Sequence, residues 1–271
     1  MDYRKKETTV VVSQKEISKD IFDLRVKTDA AMAAVPGQFA GIFPPSDAKI
    51  LMRPISICEA DAEKGEIRFV YRIAGEGTRL ISGLKEGDKV NLLSVLGNGF
   101  PIEATEGKKV AVMGGGIGIP PMLELAKTLN AENQKAGVQK NDECVIRSVM
   151  GYRDEQTFLK EDLEKYSSVY PATEDGSVGT KGNVMDAIRE NALEADVIFA
   201  CGPMPMLRAI KAFAQEKQIP AYISLEEHMA CGVGACLGCV VKTKEEDHHS
   251  HVHNARICTD GPVFEAGEVE I

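Results

Sequence analysis

The sequence predicts three units in series: an all-β barrel, a doubly wound α/β parallel sheet, and a small C-terminal domain organised around cysteine. Three observations predict this. Up to about residue 102 the chain reads as short strands separated by glycine-containing turns, the pattern of a small antiparallel barrel. Near residue 108 strands begin to alternate with helices, which indicates a parallel sheet. From about residue 222 that alternation stops, and glycine, cysteine and short strands take over. The expected boundaries are therefore 1–102, 103–221 and 222–271.

In the first unit, residues Thr8 to Ser13 form a β-branched run, and Ile21 to Val26 alternate with the period of a half-buried strand. Gln38 to Phe43 is a third strand, stopped by Pro44 and Pro45. Ile55–Cys58, Glu66–Ile73 and Lys89–Leu93 complete six. In the second unit, Lys109–Met113 is a short apolar strand that runs directly into Gly114-Gly115-Gly116-Ile117-Gly118. Pro120 and Pro121 then open a helix, where the first N–H groups have no partner to lose. That helix continues through Leu129. Cys144–Met150 and Ala195–Ala200 are further strands, the latter ended by Cys201-Gly202-Pro203, and Met206–Phe213 is another helix. No internal repeat is present.

Composition is that of an ordinary globular chain, with 44% hydrophobic and 27% charged residues in 271. The net charge of −9 provides no basic footprint for nucleic acid. No apolar run reaches the roughly 18 residues needed to span a bilayer. The start, Met1 to Glu7, lacks the apolar core of a secretion signal, so a cytoplasmic location is expected.

Chemistry concentrates in the cysteines. Four of the seven lie in the last 41 residues: Cys231, Cys236 and Cys239 in one glycine-rich loop, and Cys258 after 18 intervening residues. This C-x4-C-x2-C…C spacing is the plant-type arrangement for a [2Fe–2S] cluster held by four thiolates. Three thiolates from a single loop must converge, so the backbone has to curl tightly. Gly232, Gly234 and Gly238 permit dihedrals that a Cβ forbids, and leave N–H groups free to face sulfur. Structural zinc is the alternative, although zinc sites usually pair their ligands as two short hooks. Disulfides fit poorly with an odd cysteine count in a chain of this length.

Three weaker signals accompany the cysteines. The glycine run at Gly114, Gly115, Gly116 and Gly118 suits a nucleotide pyrophosphate at a helix start, yet it departs from G-x-G-x-x-G because Ile119 stands at the third glycine's place. Its plainer reading is a tight strand-to-helix turn. Cys201-Gly202 lies at the carboxyl end of a parallel strand, where open sheets bind ligands; a buried packing thiol is the plainer reading. In Arg53-Pro54-Ile55-Ser56, an arginine and a serine can grip a phosphate and a ring heteroatom together, against the plainer reading of a surface arginine.

Taken in order, Arg53-Pro54-Ile55-Ser56, then Tyr71-Arg72 and Gly75-Glu76-Gly77-Thr78, then Gly114–Gly118, then Cys201-Gly202-Pro203-Met204, resemble the ferredoxin–NADP⁺ reductase superfamily. With the cysteine loop at the C-terminus and Asp260-Gly261-Pro262-Val263-Phe264 after Cys258, the chain resembles the electron-transfer subunits of type B dihydroorotate dehydrogenases over essentially its whole length. The resemblance implies an FAD-binding barrel in which Arg53, Pro54, Ile55 and Ser56 contact FAD, Val70, Tyr71 and Arg72 lie along the flavin, and Gly77 and Thr78 bind its pyrophosphate. It implies NAD phosphates at Gly114, Gly115, Gly116 and Gly118, nicotinamide near Cys201 and Gly202, and a cluster on Cys231, Cys236, Cys239 and Cys258. The implied partner is a separate FMN-containing catalytic subunit that oxidises dihydroorotate in pyrimidine (UMP) biosynthesis, in a heterotetramer of two of each chain. Electrons would run from FMN through the cluster and FAD to NAD⁺, and no residue of this chain would act on dihydroorotate.

A second resemblance keeps the cofactors and changes the partner. Small subunits of NADH-dependent ferredoxin:NADP⁺ oxidoreductases and of sulfide dehydrogenases are similar chains; four cysteine ligands favour the first reading. A redox-sensing module without flavin is the third. Asp154 and Glu155 after the second strand favour NAD over NADP, while Arg153 beside them argues the other way. The histidine-rich stretch Lys244 to His253 reads as an exposed loop, and Cys58 and Cys144 as packing thiols.

Overall fold

The computed structural model describes residues 5–105, 107–137, 146–246 and 251–271. Six strands, β1 (Lys6–Ser18), β2 (Ile21–Lys27), β3 (Phe39–Phe43), β4 (Arg53–Asp61), β5 (Glu66–Arg72) and β6 (Lys89–Leu96), close in the order β1-β2-β5-β4-β3-β6. All six pairings are antiparallel, and β6 returns to β1, so no strand edge is left open. The alternation seen in the sequence decides which side chains go inside. Leu24, Val26, Ile57, Ile67, Phe69 and Tyr71 fill the barrel. Their neighbours Cys58 and Val70 turn outward and are buried against the second domain. A six-residue helix, α1 (Glu76–Ile81), bridges β5 and β6. It is too short and glycine-rich to show a helical period in the sequence.

The second domain follows with β7 (Val110–Gly115), α2 (Ile119–Lys135), β8 (Ile146–Tyr152), α3 (Lys160–Glu164), β9 (Ser168–Thr173), β10 (Thr180–Lys181), α4 (Val184–Glu190), β11 (Val197–Cys201), α5 (Met204–Lys217) and β12 (Ala221–Ser224). The strand expected at Cys144–Met150 is seen from Ile146; Cys144 lies outside the described residues. Pro120 and Pro121 occupy the first turn of α2, and Asn183 caps α4 by accepting from the Met185 amide. The remaining elements are β13 (Val240–Lys242), β14 (Asn254–Arg256) and β15 (Val263–Glu265). β15 adds antiparallel to β12, giving a seven-stranded sheet ordered β10-β9-β8-β7-β11-β12-β15. The chain's last strand therefore anchors the cysteine-rich segment to the sheet of the second domain. Of the histidine-rich loop, residues 247–250 lie outside the described residues, and His251 and His253 are exposed.

Barrel and sheet meet through helix α2 and a buried ion network. Glu124 of α2 accepts from the Ala60 amide at 2.9 Å, and Lys127 donates to the Ala60 carbonyl at 2.8 Å. Burial pushes the Glu124 carboxyl above its usual range, and nearby Lys127 offsets this. Arg68 of β5 forks onto Asp23 of β2 at 2.9 and 3.1 Å and reaches Asp162 of α3 at 3.0 Å. Arg68 and Asp23 expose only 9% and 4% of their side chains, so neither charge is solvated well enough to stand alone. Arg68→Ala, which strands Asp23, is expected to cost about 3–5 kcal/mol. Urea unfolding followed by far-ultraviolet circular dichroism measures it; a loss below about 1 kcal/mol, the range of surface pairs, contradicts the buried network.

Candidate functional site

The outward face of β4 and β5 is the floor of the site. Because side chains alternate, Ser56 shares its side of β4 with Pro54 and Cys58, and Val70 shares its side of β5 with Arg72. Cys58 and Val70 belong to the same apolar cluster as Ile119 and Met122 of α2. Tyr71 points the opposite way, into the barrel, where its hydroxyl donates to Gln14 Oε1 at 2.8 Å. What Tyr71 offers the outer face is backbone. Gln14 also donates to the carbonyls of Ile81 and Leu84 at 2.9 and 2.8 Å, which ties the end of α1 to β1 and β5. Nothing in the local sequence marks Gln14, since its partners lie 57 or more residues away.

At the other end of α1, Thr78 Oγ1 accepts from the Ala74 and Gly75 amides at 2.9 and 3.2 Å. A Cβ on Gly77 would overlap the Arg53 guanidinium, so the arginine lies directly on the first turn of α1. Arg53 Nη1 donates to the carbonyls of Leu51 and Met52 at 2.8 and 3.2 Å. Among the described residues it has no carboxylate partner. A half-buried guanidinium without an acid, beside a glycine that leaves backbone accessible, fits the pyrophosphate of FAD.

The second part of the site lies at the carboxyl ends of β7 and β11. β7 pairs with β8 on one side and with β11 on the other, and Cys201 is in register with Gly114. The strand order therefore reverses here, which opens the crevice where doubly wound sheets bind nucleotides. The two turns interlock. A Cβ on Gly118 would overlap the Cys201 carbonyl, and one on Gly202 would lie 3.1 Å from the Gly115 amide nitrogen. Gly116 has φ +53°, where a side chain is disfavoured. This glycine cradle would be filled by side chains, so the residues present fit a dinucleotide phosphate.

Cys201 is fully buried. Burial raises its thiol pKa well above the ordinary value, and the Glu226 charge adds to this while a hydrogen bond from Ser224 opposes it. The group remains a neutral thiol, suited to contact with a ring rather than to nucleophilic attack. Glu226, two residues beyond β12, places Oε1 4.0 Å from Cys201 Sγ. It was absent from the sequence-based site; the signal is a carboxylate just past the carboxyl end of a strand adjacent to the switch point.

The cysteine loop forms the third part. The Val233 amide donates to Cys231 Sγ at 3.4 Å, and the Gly234 amide to Cys258 Sγ at 3.2 Å. Gly232 and Gly234 take φ of +70° and +78°, the left-handed conformation that glycine tolerates. Cys236 bears on Cys231, and both Cys239 and Cys231 bear on Cys258, so the four thiols belong to one neighbourhood. Among the described residues no three His, Cys, Asp or Glu side chains gather as ligands of one ion. Three cysteines on one loop and a fourth on a return segment, rather than two short paired hooks, suit a [2Fe–2S] cluster better than a single zinc. Burial opposes ionisation of Cys231, but amides of Val233, Cys236 and Ala235 outweigh it and bring its thiol to about 6. Burial, then the Cys239 thiol, pushes Cys258 up to about 12. The loop is braced from both sides: Arg256 forks onto Asp260 at 2.9 Å, and Asn98 donates to the Thr259 and Asp260 carbonyls at 3.2 and 3.0 Å.

Comparison with known proteins finds the same three units. Residues 8–99 match an oxidoreductase FAD-binding domain, 112–212 an oxidoreductase NAD-binding domain, and 226–270 the iron–sulfur cluster binding domain of dihydroorotate dehydrogenase B. The electron transfer subunit of dihydroorotate dehydrogenase B (NAD⁺) from Lysinibacillus sphaericus is 40% identical over 267 residues, covering 96% of this chain and 97% of its own. The Bacillus cereus protein of that name is 41% identical over 268 residues, covering 97% and 98%. The chain belongs to this family of dihydroorotate dehydrogenase B electron transfer subunits. Its FAD, NAD and iron–sulfur units are the family's cofactor-binding domains. A solved chain from an NADH-dependent reduced ferredoxin–NADP oxidoreductase has TM-score 0.79 at 27% identity, covering 97% of this chain and 89% of that one. The ferredoxin reductase of carbazole 1,9a-dioxygenase shares the fold, with TM-score 0.65 at 20% identity over 81% of this chain and 68% of its own.

Gly77→Ala tests the Arg53 seat. The added methyl must displace the guanidinium, and losing one charge-assisted phosphate contact of about 1.5–3 kcal/mol weakens FAD roughly 10- to 100-fold. Flavin absorbance during titration of the apoprotein reads this. Unchanged affinity contradicts the assignment of Arg53 and Gly77 to FAD.

Proposed function

We propose that this chain carries electrons between a partner flavoprotein and NAD⁺, in the order partner FMN, [2Fe–2S] cluster, FAD, NAD⁺. The observation that supports it most is the continuity of the three sites. Met52, immediately before Arg53, packs its side chain against Gly232 of the cysteine loop. The outer face of β4 then leads through Cys58 and Val70 to Ile119, Phe199 and Cys201 at the switch point.

When bound, the cluster exchanges single electrons, and FAD converts pairs of them into the hydride that NAD⁺ accepts. The residues have simpler tasks. Arg53, Gly77 and Thr78 hold the FAD pyrophosphate, and Ser56 with Val70–Arg72 orients its ring system. Gly114–Gly118 seat the NAD phosphates, and Cys201-Gly202 bounds the nicotinamide. Cys231, Cys236, Cys239 and Cys258 would hold the cluster, with the Val233 and Gly234 amides donating to the sulfurs of Cys231 and Cys258.

The partner is the dihydroorotate-oxidising subunit, in a cytoplasmic heterotetramer of two of each chain that serves pyrimidine synthesis. Val233 and Leu237 on the cysteine loop are 55% and 63% exposed, and Ile50 and Leu51 beside Met52 are 75% and 49% exposed. Apolar side chains gathered around an electron-transfer loop fit a protein interface there. The similarity to the ferredoxin–NADP oxidoreductase chain supports a second reading with a different flavoprotein partner. Full-length identities of 40% to dihydroorotate dehydrogenase subunits and four cysteine donors favour the first.

Tagged pull-down with identification of bound flavins distinguishes the two. FMN arriving with a second chain, bleached by dihydroorotate, supports the first; a partner that carries FAD and further clusters supports the second. Cys236→Ser is expected to abolish NAD⁺ reduction by dihydroorotate while NADH-to-dye activity persists. Equal loss of both activities contradicts the cofactor order.

A further inference from the structure

Hydride exchange, FADH⁻ + NAD⁺ ⇌ FAD + NADH, moves one hydrogen and two electrons between rings held by different domains. The reacting atoms must stand about 3–3.5 Å apart, and a misplacement of about 1 Å costs roughly 100-fold in rate. The flavin floor belongs to the barrel and the glycine cradle to the sheet. Some contact near both must therefore set one against the other.

Strand β4 has an open edge next to the flavin floor. β3 pairs with it only from Arg53 to Ser56, after which the Gln38 carbonyl takes the Ile57 amide at 3.0 Å. Among the described residues no strand continues along that edge. On the other side of β4, a β-bulge inserts Cys58 between the pairs Ile57–Phe69 and Glu59–Arg68. A bulge bends its strand, and Cys58 here packs with Ile119 and Met122 of α2. Ala60 turns its amide and carbonyl to the open edge, and α2 satisfies both. Glu124 accepts from the amide at 2.9 Å, and Lys127, one turn on, donates to the carbonyl at 2.8 Å. Two side chains at i, i+3 on a helix thus supply the acceptor and the donor that a neighbouring strand would offer. Glu124 exposes only 8% of its side chain, so water does not compete for this joint. Lys127 lies 3.4 Å from Glu124 and 3.7 Å from Glu59, which Arg68 reaches at 3.5 Å.

The joint is close to both sites. Glu124 is five residues into α2, about 8 Å along the axis from the cradle that ends at Gly118. Ala60 is four residues beyond Ser56, about 13 Å along β4. We propose that Glu124 and Lys127 are positioning residues for hydride exchange: standing in for a missing strand on β4, they fix the NAD cradle against the flavin floor. This rests on the assignment of Gly114–Gly118 to NAD and of Arg53–Ser56 to FAD made above. Without the Glu124 carboxylate the Ala60 amide has no acceptor, and the seam must open to admit water. The start of α2 then moves away from the flavin.

The test uses the complex loaded with all cofactors and follows FAD bleaching by NADH in single turnovers at increasing NADH. Glu124→Leu is expected to lower the limiting rate about tenfold or more while the NADH concentration for half-maximal rate stays unchanged. Long-wavelength charge-transfer absorbance, measured at equilibrium with reduced flavin and saturating NAD⁺, reports nicotinamide stacked on flavin and is expected to fall. Hydrogen exchange of the Ala60 amide, read without nucleotide, is expected to accelerate in the same variant. Lys127→Met, which keeps the aliphatic stem, is expected to move all three readouts the same way by less. Glu124→Gln, which keeps an acceptor, is expected to restore most of the rate. If Glu124→Leu does not fold, these two variants carry the same readouts. An unchanged limiting rate and absorbance in variants that bind FAD normally overturn the proposal. A loss seen only as a higher half-maximal NADH concentration also overturns it, because it makes the pair part of nucleotide binding. Gly116→Ala, whose methyl enters open space in the cradle, checks the underlying assignment separately and is expected to raise that concentration. No change in Gly116→Ala removes the nucleotide site itself and the proposal with it.

Discussion

The side chain of Met52 fills the space left by two glycines, Gly41 on β3 and Gly232 on the cysteine loop. A Cβ at either position would overlap the methionine, which is 1% exposed. The contact matters because electron transfer weakens steeply with distance, and a cluster loop held away from the flavin barrel would be useless. Met52 adapts its shape readily to such gaps, more so than a branched side chain. It also immediately precedes Arg53, so the contact that seats the loop fixes the start of β4. Leu96, at the end of β6, closes the same contact from beneath.

The rest of the architecture serves the same need for close approach. The chain enters the cysteine segment from β12 and leaves it through β15, and these two strands pair with each other. The segment is thus a long excursion clamped at its base to the sheet that binds NAD. Asn98 clamps it to the barrel, and the Arg256–Asp260 fork stiffens the loop that carries Cys258. Barrel and sheet are fixed to each other by α2 and by Arg68. Contacts therefore join the three units to one another, through buried Met52 and Arg68, the exposed Asn98 and the β12–β15 pairing.

Much of this was legible in the sequence, for identifiable reasons. All six barrel strands were readable because alternation in Ile21–Val26 and the β-branched runs match a surface wet on one side only. The α/β unit announced itself through Gly114–Gly118 and Cys201-Gly202 at strand ends. The cysteine spacing marked the third unit because a loop must supply three ligands at once. What escaped is non-local or too short to carry a period. Helix α1 has six residues, and Gln14, Arg68 and Glu226 act through partners 25 or more positions away. The return of β15 to β12 depends on a pairing 39 or more residues apart, across a glycine-rich stretch with no pattern to announce it. The orientation of Tyr71 follows from alternation once Phe69 is known to face inward, and it makes the residue a backbone contributor on the outer face.

The central claim is that Cys231, Cys236, Cys239 and Cys258 grip two irons so that single electrons pass between this chain and a partner. Iron, acid-labile sulfide and zinc measured together on anaerobically purified protein, made alongside its partner chain, test it most directly. The account predicts about two irons and two sulfides per chain with negligible zinc. One zinc per chain without labile sulfide would contradict it.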